Sequence, residues 1–116
     1  MTIIIYGIPN CDSIKKAKKF LENKEIHFEF YNYKKQPVDA QLIQPWLDEF
    51  GWEVVLNKRG TTFRKLSENQ KQNIDNDKAL RLLIENPSMI KRPIITNKQE
   101  TLVGFKAEQY EDFLKN

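Results

Sequence analysis

Thr2-Ile3-Ile4-Ile5-Tyr6-Gly7-Ile8-Pro9-Asn10-Cys11-Asp12-Ser13-Ile14-Lys15-Lys16-Ala17-Lys18-Lys19 decides the fold. Thr2 to Tyr6 is short, apolar and β-branched, and Gly7 and Pro9 close it, so it predicts a buried strand. From about Asp12 to Asn23 the period changes. Ile14, Ala17 and Leu21 fall on one helical face, and Lys15, Lys16, Lys18, Lys19 and Lys24 mostly cover the other. Ile26, Phe28 and Phe30 then alternate with His27 and Glu29, which predicts a second strand over Ile26 to Tyr31. Strand, helix and strand in that order imply a right-handed crossover joining a parallel pair.

The chain then changes character. Pro37 ends the strand, and Asp39 is a candidate N-cap for a helix running to about Phe50. Leu42, Ile43, Trp46, Leu47 and Phe50 form its apolar face, and Gly51 stops it. One more turn is expected over Trp52 to Leu56, and Asn57 to Thr62 reads as a polar loop. Ser67 and either Asp75 or Asp77 are expected to cap two short helices. Ala79, Leu80, Leu82 and Leu83 pack the second, and Pro87 ends the block. Ile94 to Thr96 and Thr101 to Val103 are short β runs around an Asn97-Lys98-Gln99-Glu100 turn, and Ala107 to Leu114 is a last helix. Trp46, Phe50, Trp52 and Phe63 read as core of the helical block, and His27 as a surface residue of its strand.

The 116 residues suit one domain, and 40% hydrophobic with 30% charged residues is a globular balance. A net charge of +3, with the basic residues dispersed, is too little for direct nucleic-acid binding. No apolar run approaches the roughly 20 residues of a membrane span. The apolar start lacks a basic leader and a cleavage site, so a cytoplasmic location is the expectation. With one cysteine and one histidine, the chain holds neither an internal disulfide nor a Cys/His metal set.

Cys11 lies between a strand and a helix, where the first backbone N–H groups of the helix are unpaired and carry partial positive charge. That position favours a thiolate nucleophile. Lys15, one turn on, adds to the effect and Asp12 opposes it. A buried, inert cysteine is the competing reading. Two further elements stand out. Lys91-Arg92-Pro93 precedes a strand, where a proline costs no ladder bond. Lys58-Arg59-Gly60-Thr61-Thr62, with Arg64 and Lys65 beyond, offers guanidinium forks for an oxyanion, or is simply a solvated basic loop.

Together and in this order these elements resemble the arsenate reductase-like (ArsC) family. The likeness runs through Ile5-Tyr6-Gly7-Ile8 to Asn10-Cys11-Asp12, Gly51-Trp52-Glu53, Leu56 to Leu66, Ile90-Lys91-Arg92-Pro93 and Leu102-Val103-Gly104-Phe105. It implies an α/β fold with a thioredoxin (glutaredoxin)-like core and a helical insertion between the second and third strands. One ArsC-like domain over 1–116 would then have its core in 1–35 and 88–116 and its insertion in 36–87. It also implies a cis Pro93 facing the cysteine, Cys11 as nucleophile, and Arg92 and Arg59 as oxyanion ligands. Asn10 and Lys15, flanking the cysteine, complete the expected anion-binding set.

The sequence departs from the family pattern in three places. Phe105 stands where a third arginine is usual, Gly7 where a histidine is, and Asp12-Ser13-Ile14 where Gly-Thr-Ser is. A lost cation and an added carboxylate both weaken binding of a di-anion such as arsenate, so arsenate reduction is the third reading. The first is a glutathione-dependent thiol-disulfide reductase. It has no bound cofactor, and glutathione or another small thiol serves as reductant for an oxidised thiol substrate. The second follows from the Spx-type transcriptional regulators that share the fold. It is a module binding the RNA polymerase α subunit without redox turnover; Ile14 at the second position of the usual Cys-x-x-Cys leaves no internal switch.

Overall fold

The structure is a computed structural model describing residues 2–97 and 100–115. Its elements are β1 (Ile4–Gly7), α1 (Asp12–Asn23), β2 (Glu29–Asn32), α2 (Ala40–Phe50), α3 (Trp52–Val55), α4 (Thr61–Arg64), α5 (Glu68–Lys71), α6 (Asn76–Glu85), β3 (Ile94–Thr96), β4 (Thr101–Val103) and α7 (Ala107–Leu114). A 3-10 turn over Pro87–Met89 precedes β3. This is the expected α/β, thioredoxin-like core, with the helices α2 to α6 inserted between its second and third strands. The chain divides into two compact units, Met1–Gln36 with Arg92–Asn116, and Pro37–Lys91.

The first unit holds a four-stranded sheet in the order β2-β1-β3-β4. β1 and β2 are parallel, as the crossover requires, with Ile5 opposite Phe30 and Gly7 opposite Asn32. β3 runs antiparallel to both β1 and β4, with Tyr6 opposite Ile94 and Ile95 opposite Leu102. Alternation sends Ile5 of β1, and Ile3 just before it, into a cluster with Ile95. α1 meets that cluster with Ile14, Ala17 and Leu21, and α7 with Tyr110 and Phe113. The ring of Phe20 meets Phe105 and Tyr110 edge-on at 5.8 and 5.7 Å. Lys15, Lys16 and Lys19 are exposed, whereas Lys18 lies 3.8 Å from the ring centre of Phe30.

β2 starts later than its alternation predicts. Ile26 donates its N–H to the Leu21 carbonyl, closing the end of α1, and Glu25 turns the chain with φ 59°. The ladder therefore begins at Glu29, whose N–H reaches the Ile3 carbonyl at 2.8 Å. Ile26 and Phe28 still pack against the core, and His27 is exposed ahead of the strand rather than in it. In the β3–β4 turn, the Asn97 N–H donates to the Glu100 carbonyl and the Glu100 N–H to Asn97 Oδ1. Lys98 and Gln99 of that turn lie outside the described residues.

In the second unit, Asp39 caps α2 by accepting from the Leu42 N–H at 3.1 Å, and Gly51 ends it with φ 83°. Ile43, Trp46 and Leu47 of α2 are buried, as are Ala79, Leu82 and Leu83 of α6, and the two helices pack together. Phe50, Trp52 and Phe63 are only half-buried. Ser67 and Gln70 form a reciprocal capping box, and Asp75, not Asp77, caps α6. The polar loop expected over Asn57 to Thr62 is shorter than its composition suggests. Asn57 Oδ1 accepts from the Arg59 N–H, and the Gly60 carbonyl from the Arg64 N–H, so the chain is already helical at Thr61. The ends of this unit are tied by Asn57 N–H to the Met89 carbonyl and Lys91 N–H to the Val55 carbonyl.

Candidate active site

The carboxyl end of β1 gathers the chemistry of the first unit. After Gly7 the chain passes through Asn10, which takes the left-handed region at φ 62°, a conformation asparagine tolerates. Cys11 then adopts an extended conformation as the N-cap of α1, and its carbonyl accepts the Lys15 N–H at 3.0 Å. No side chain caps α1, so none competes with the Cys11 thiol for the first N–H groups of the helix. The thiol is free and half-buried at the edge of the core cluster. A nucleophile needs this combination of reach to solvent and fixed backbone.

Pro93 is buried and follows a cis bond from Arg92. The Tyr6–Ile94 register puts this dipeptide beside the end of β1 from which the cysteine loop departs. The Pro93 carbonyl accepts from the Gly104 N–H at 2.8 Å. Arg92 is half-buried, and among the described residues no carboxylate pairs with it. Its five N–H donors are thus available to an anion.

Gly7 is small for a packing reason. A Cβ there would overlap the Ile14 side chain and come within 3.9 Å of Arg92 Cγ. A histidine at this position, as in the family pattern, has no room while Ile14 stays in place. Gly7→Ala is expected to cost about 1–3 kcal/mol in urea unfolding, because Ile14 is core and cannot retreat cheaply.

The other sequence candidates are placed differently. Asn10 and Lys15 are exposed, and their backbones frame the cysteine. Arg59 is exposed and belongs to the second unit. Tyr33 was not among the sequence candidates. It follows β2, donates its N–H to the Gly7 carbonyl at 2.9 Å, and is only 6% exposed. Its hydroxyl has no hydrogen-bond partner among the described residues. The Tyr6 and Tyr31 rings meet at 5.1 Å, tilted by 39°, and Tyr31 meets the Tyr33 ring edge-on at 6.3 Å. Burial, with smaller contributions from Tyr6 and Tyr31, pushes the Tyr33 phenol well above the usual tyrosine range, while Arg92 pulls it down. The sequence signal was the Tyr31-x-Tyr33 alternation continuing β2. Among the described residues no three His, Cys, Asp or Glu side chains group to hold a metal ion.

Comparison with known proteins gives a consistent picture. The ArsC family model matches residues 6–113. An uncharacterized protein of Haemophilus influenzae is 41% identical over 94% of this chain and 96% of its own. The global transcriptional regulator Spx of Streptococcus agalactiae is 30% identical over 97% of this chain and 82% of its own. The solved YffB protein superposes with a TM-score of 0.92 at 44% identity, covering 95% of this chain and 96% of that one. An arsenate reductase-related protein of Brucella melitensis superposes at 0.78, also with 44% identity, over 100% and 97% of the two chains.

Proposed function

The chain belongs to the ArsC family, and from that membership we propose that it is a thiol-disulfide reductase whose Cys11 is the nucleophile and whose electrons come from glutathione or a similar small thiol. The observation that carries the reading is that a free N-cap cysteine and an arginine with no carboxylate partner among the described residues both lie at one end of β1.

The Cys11 thiolate attacks one sulfur of a substrate disulfide. A Cys11–substrate disulfide forms, and the other half of the substrate leaves as a thiolate that takes a proton from water. The chain has no second cysteine to open this bond. A glutathione thiolate therefore attacks Cys11 Sγ and releases the substrate as a thiol. A second glutathione attacks the sulfur of the first, freeing Cys11 and leaving glutathione disulfide. Two electrons pass from two glutathiones to one disulfide. Arg92 holds a carboxylate of the incoming thiol or substrate in this scheme. Arg59 enters it only through the family pattern. The chain acts as one ArsC-like domain, in the cytoplasm.

Arg92→Ala is expected to raise the KM for glutathione about tenfold, the worth of one charge-assisted hydrogen bond, with kcat nearly unchanged. Steady-state kinetics with varied glutathione checks this. An unchanged KM removes Arg92 from the site.

The Spx relatives favour one second reading, a module that binds RNA polymerase. A pull-down with the carboxyl-terminal domain of the polymerase α subunit decides between them. Capture that survives Cys11→Ser, with no disulfide turnover, selects the second. Arsenate reduction is a third reading, removed if the protein fails to complement an arsenate-sensitive strain.

A further inference from the structure

The two ends of the first unit carry opposite charge. Gly7 closes β1 at the end from which the cysteine loop departs. Lys15 and Lys16 lie in the first turns of α1, just past Cys11. Lys34 and Lys35 follow β2 in a turn closed by the Lys35 N–H on the Asn32 carbonyl at 3.0 Å, and the Tyr33 N–H ties that turn to Gly7. Lys106 is the N-cap of α7, two residues beyond Gly104, whose N–H bonds the Pro93 carbonyl. These lysines are all exposed, and among the described residues none has a carboxylate partner. Arg92 stands at the same end. The described carboxylates there are Asp12 and Glu108, in the first turns of α1 and α7. At the far end the sign reverses. Glu22 lies in the last turn of α1, Glu25 just beyond it, Glu29 opens β2, and Glu111 and Asp112 lie in the last turn of α7. Of the described lysines at that end, Lys24 is paired with Glu111 at 3.0 Å, and Lys115 closes α7.

We infer that the oxidised thiol attacked by Cys11 is a cysteine in an acidic segment of a protein, with Asp or Glu on both sides of it, and that the lysines of the thiol end draw that segment in. The inference rests on the reading of Cys11 as a nucleophile toward disulfides and adds the class of its substrate. Sheet order supplies the geometry. β1 lies inside the sheet, with β2 on one side and β3 and β4 on the other. Lys34 and Lys35 follow β2 at one edge, and Lys106 follows β4 at the other. Three interstrand steps separate these edges, about 14 Å. An extended chain needs about four residues to cover that distance. A segment laid across Cys11 therefore meets lysines on both sides of its own cysteine. Lysine suits this task. It is a mobile point charge that attracts carboxylates without demanding one geometry, so it raises the rate of encounter. The carboxylates of the far end repel the same segment and leave the thiol end as its docking place.

The test uses two synthetic peptides, each with one cysteine held as its 2-pyridyl disulfide. One has Asp and Glu on both sides of the cysteine, the other Ser and Gln. The Cys11 thiolate attacks the peptide sulfur, a Cys11–peptide disulfide forms, and pyridine-2-thiolate leaves and takes a proton from water. Absorbance of the released thione gives the rate, and mass spectrometry confirms the adduct. At about 0.1 M salt the acidic peptide is expected to react about fivefold or more faster than the neutral one. At about 1 M salt the screening length falls to about 3 Å, and the ratio should drop to within about twofold of one. Lys34→Glu combined with Lys35→Glu should bring the ratio at 0.1 M to one or below. Glu22→Lys makes a charge change of the opposite sign about 16 Å along α1 from Cys11, beyond the screening length of about 10 Å, and should leave the ratio within about 1.5-fold of wild type. Equal rates for the two peptides overturn the acidic substrate and leave the reductase reading standing. No adduct with either peptide overturns both. A preference that survives 1 M salt and the lysine variants overturns the lysine surface and assigns the preference to contacts at Arg92. A ratio that Glu22→Lys shifts as far as the lysine variants overturns it too, because net charge and not placement would then set the rate.

Discussion

Cys11→Ser is expected to remove glutathione-dependent reduction of a small disulfide, by about a thousandfold or more, while the protein stays folded. The serine oxygen is not a nucleophile toward disulfide sulfur at neutral pH, and the chain holds no other thiol to take over. The fold should hardly register the change. Cys11 is half-buried, and its thiol makes no cap bond to α1. Serine is a better N-cap than cysteine, so the melting temperature should hold or rise slightly. Two measurements go together: the rate of glutathione oxidation, and the mass of the protein after exposure to glutathione disulfide. Wild type should carry one glutathione adduct and Cys11→Ser none. Turnover that persists in the variant would end the reductase reading.

Phe113→Ala should have the largest effect on stability. Phe113 is 1% exposed in the last turn of α7, packed with Tyr110 and with the β1, β3 and α1 side chains of the core cluster. Truncating a buried phenylalanine costs about 3–5 kcal/mol, part from lost transfer energy and part from the cavity left behind. A domain of this size has roughly 5–15 kcal/mol in hand. The melting temperature should fall by roughly 10–25 °C. Loss of α7 also loosens Phe105 and Phe20, which meet Tyr110 edge-on. A change under about 1 kcal/mol in urea unfolding would mean that α7 is dispensable to the core.

The elements were legible wherever their signals are local. α1, β3, β4 and α7 begin and end where periodicity and breakers put them. Asp39, Ser67 and Asp75 cap helices because a cap is a contact over two or three residues. The misses have a common cause. β2 lost its first residues because the Ile26 N–H serves the end of α1 instead of the ladder. α4 grew inside a loop because an Asn57 side chain bent the backbone into it. Both turn on where a particular hydrogen bond goes, which residue type and period do not specify.

The same division holds for the site. Sequence alone determined that this protein has one thiol, that it sits between a strand and a helix, and that any disulfide it forms must be opened from outside. Those conclusions need only counting and order. Tertiary structure decided what stands around the thiol. The antiparallel register of β1 and β3 brings Arg92 and Pro93 to the end of β1. The parallel register of β1 and β2 brings Tyr33 to the same place. Ile14, folded under Gly7, excludes any larger residue there. A register is set by the packing of two whole strands, and a shift of one residue would turn every one of these side chains to the other face.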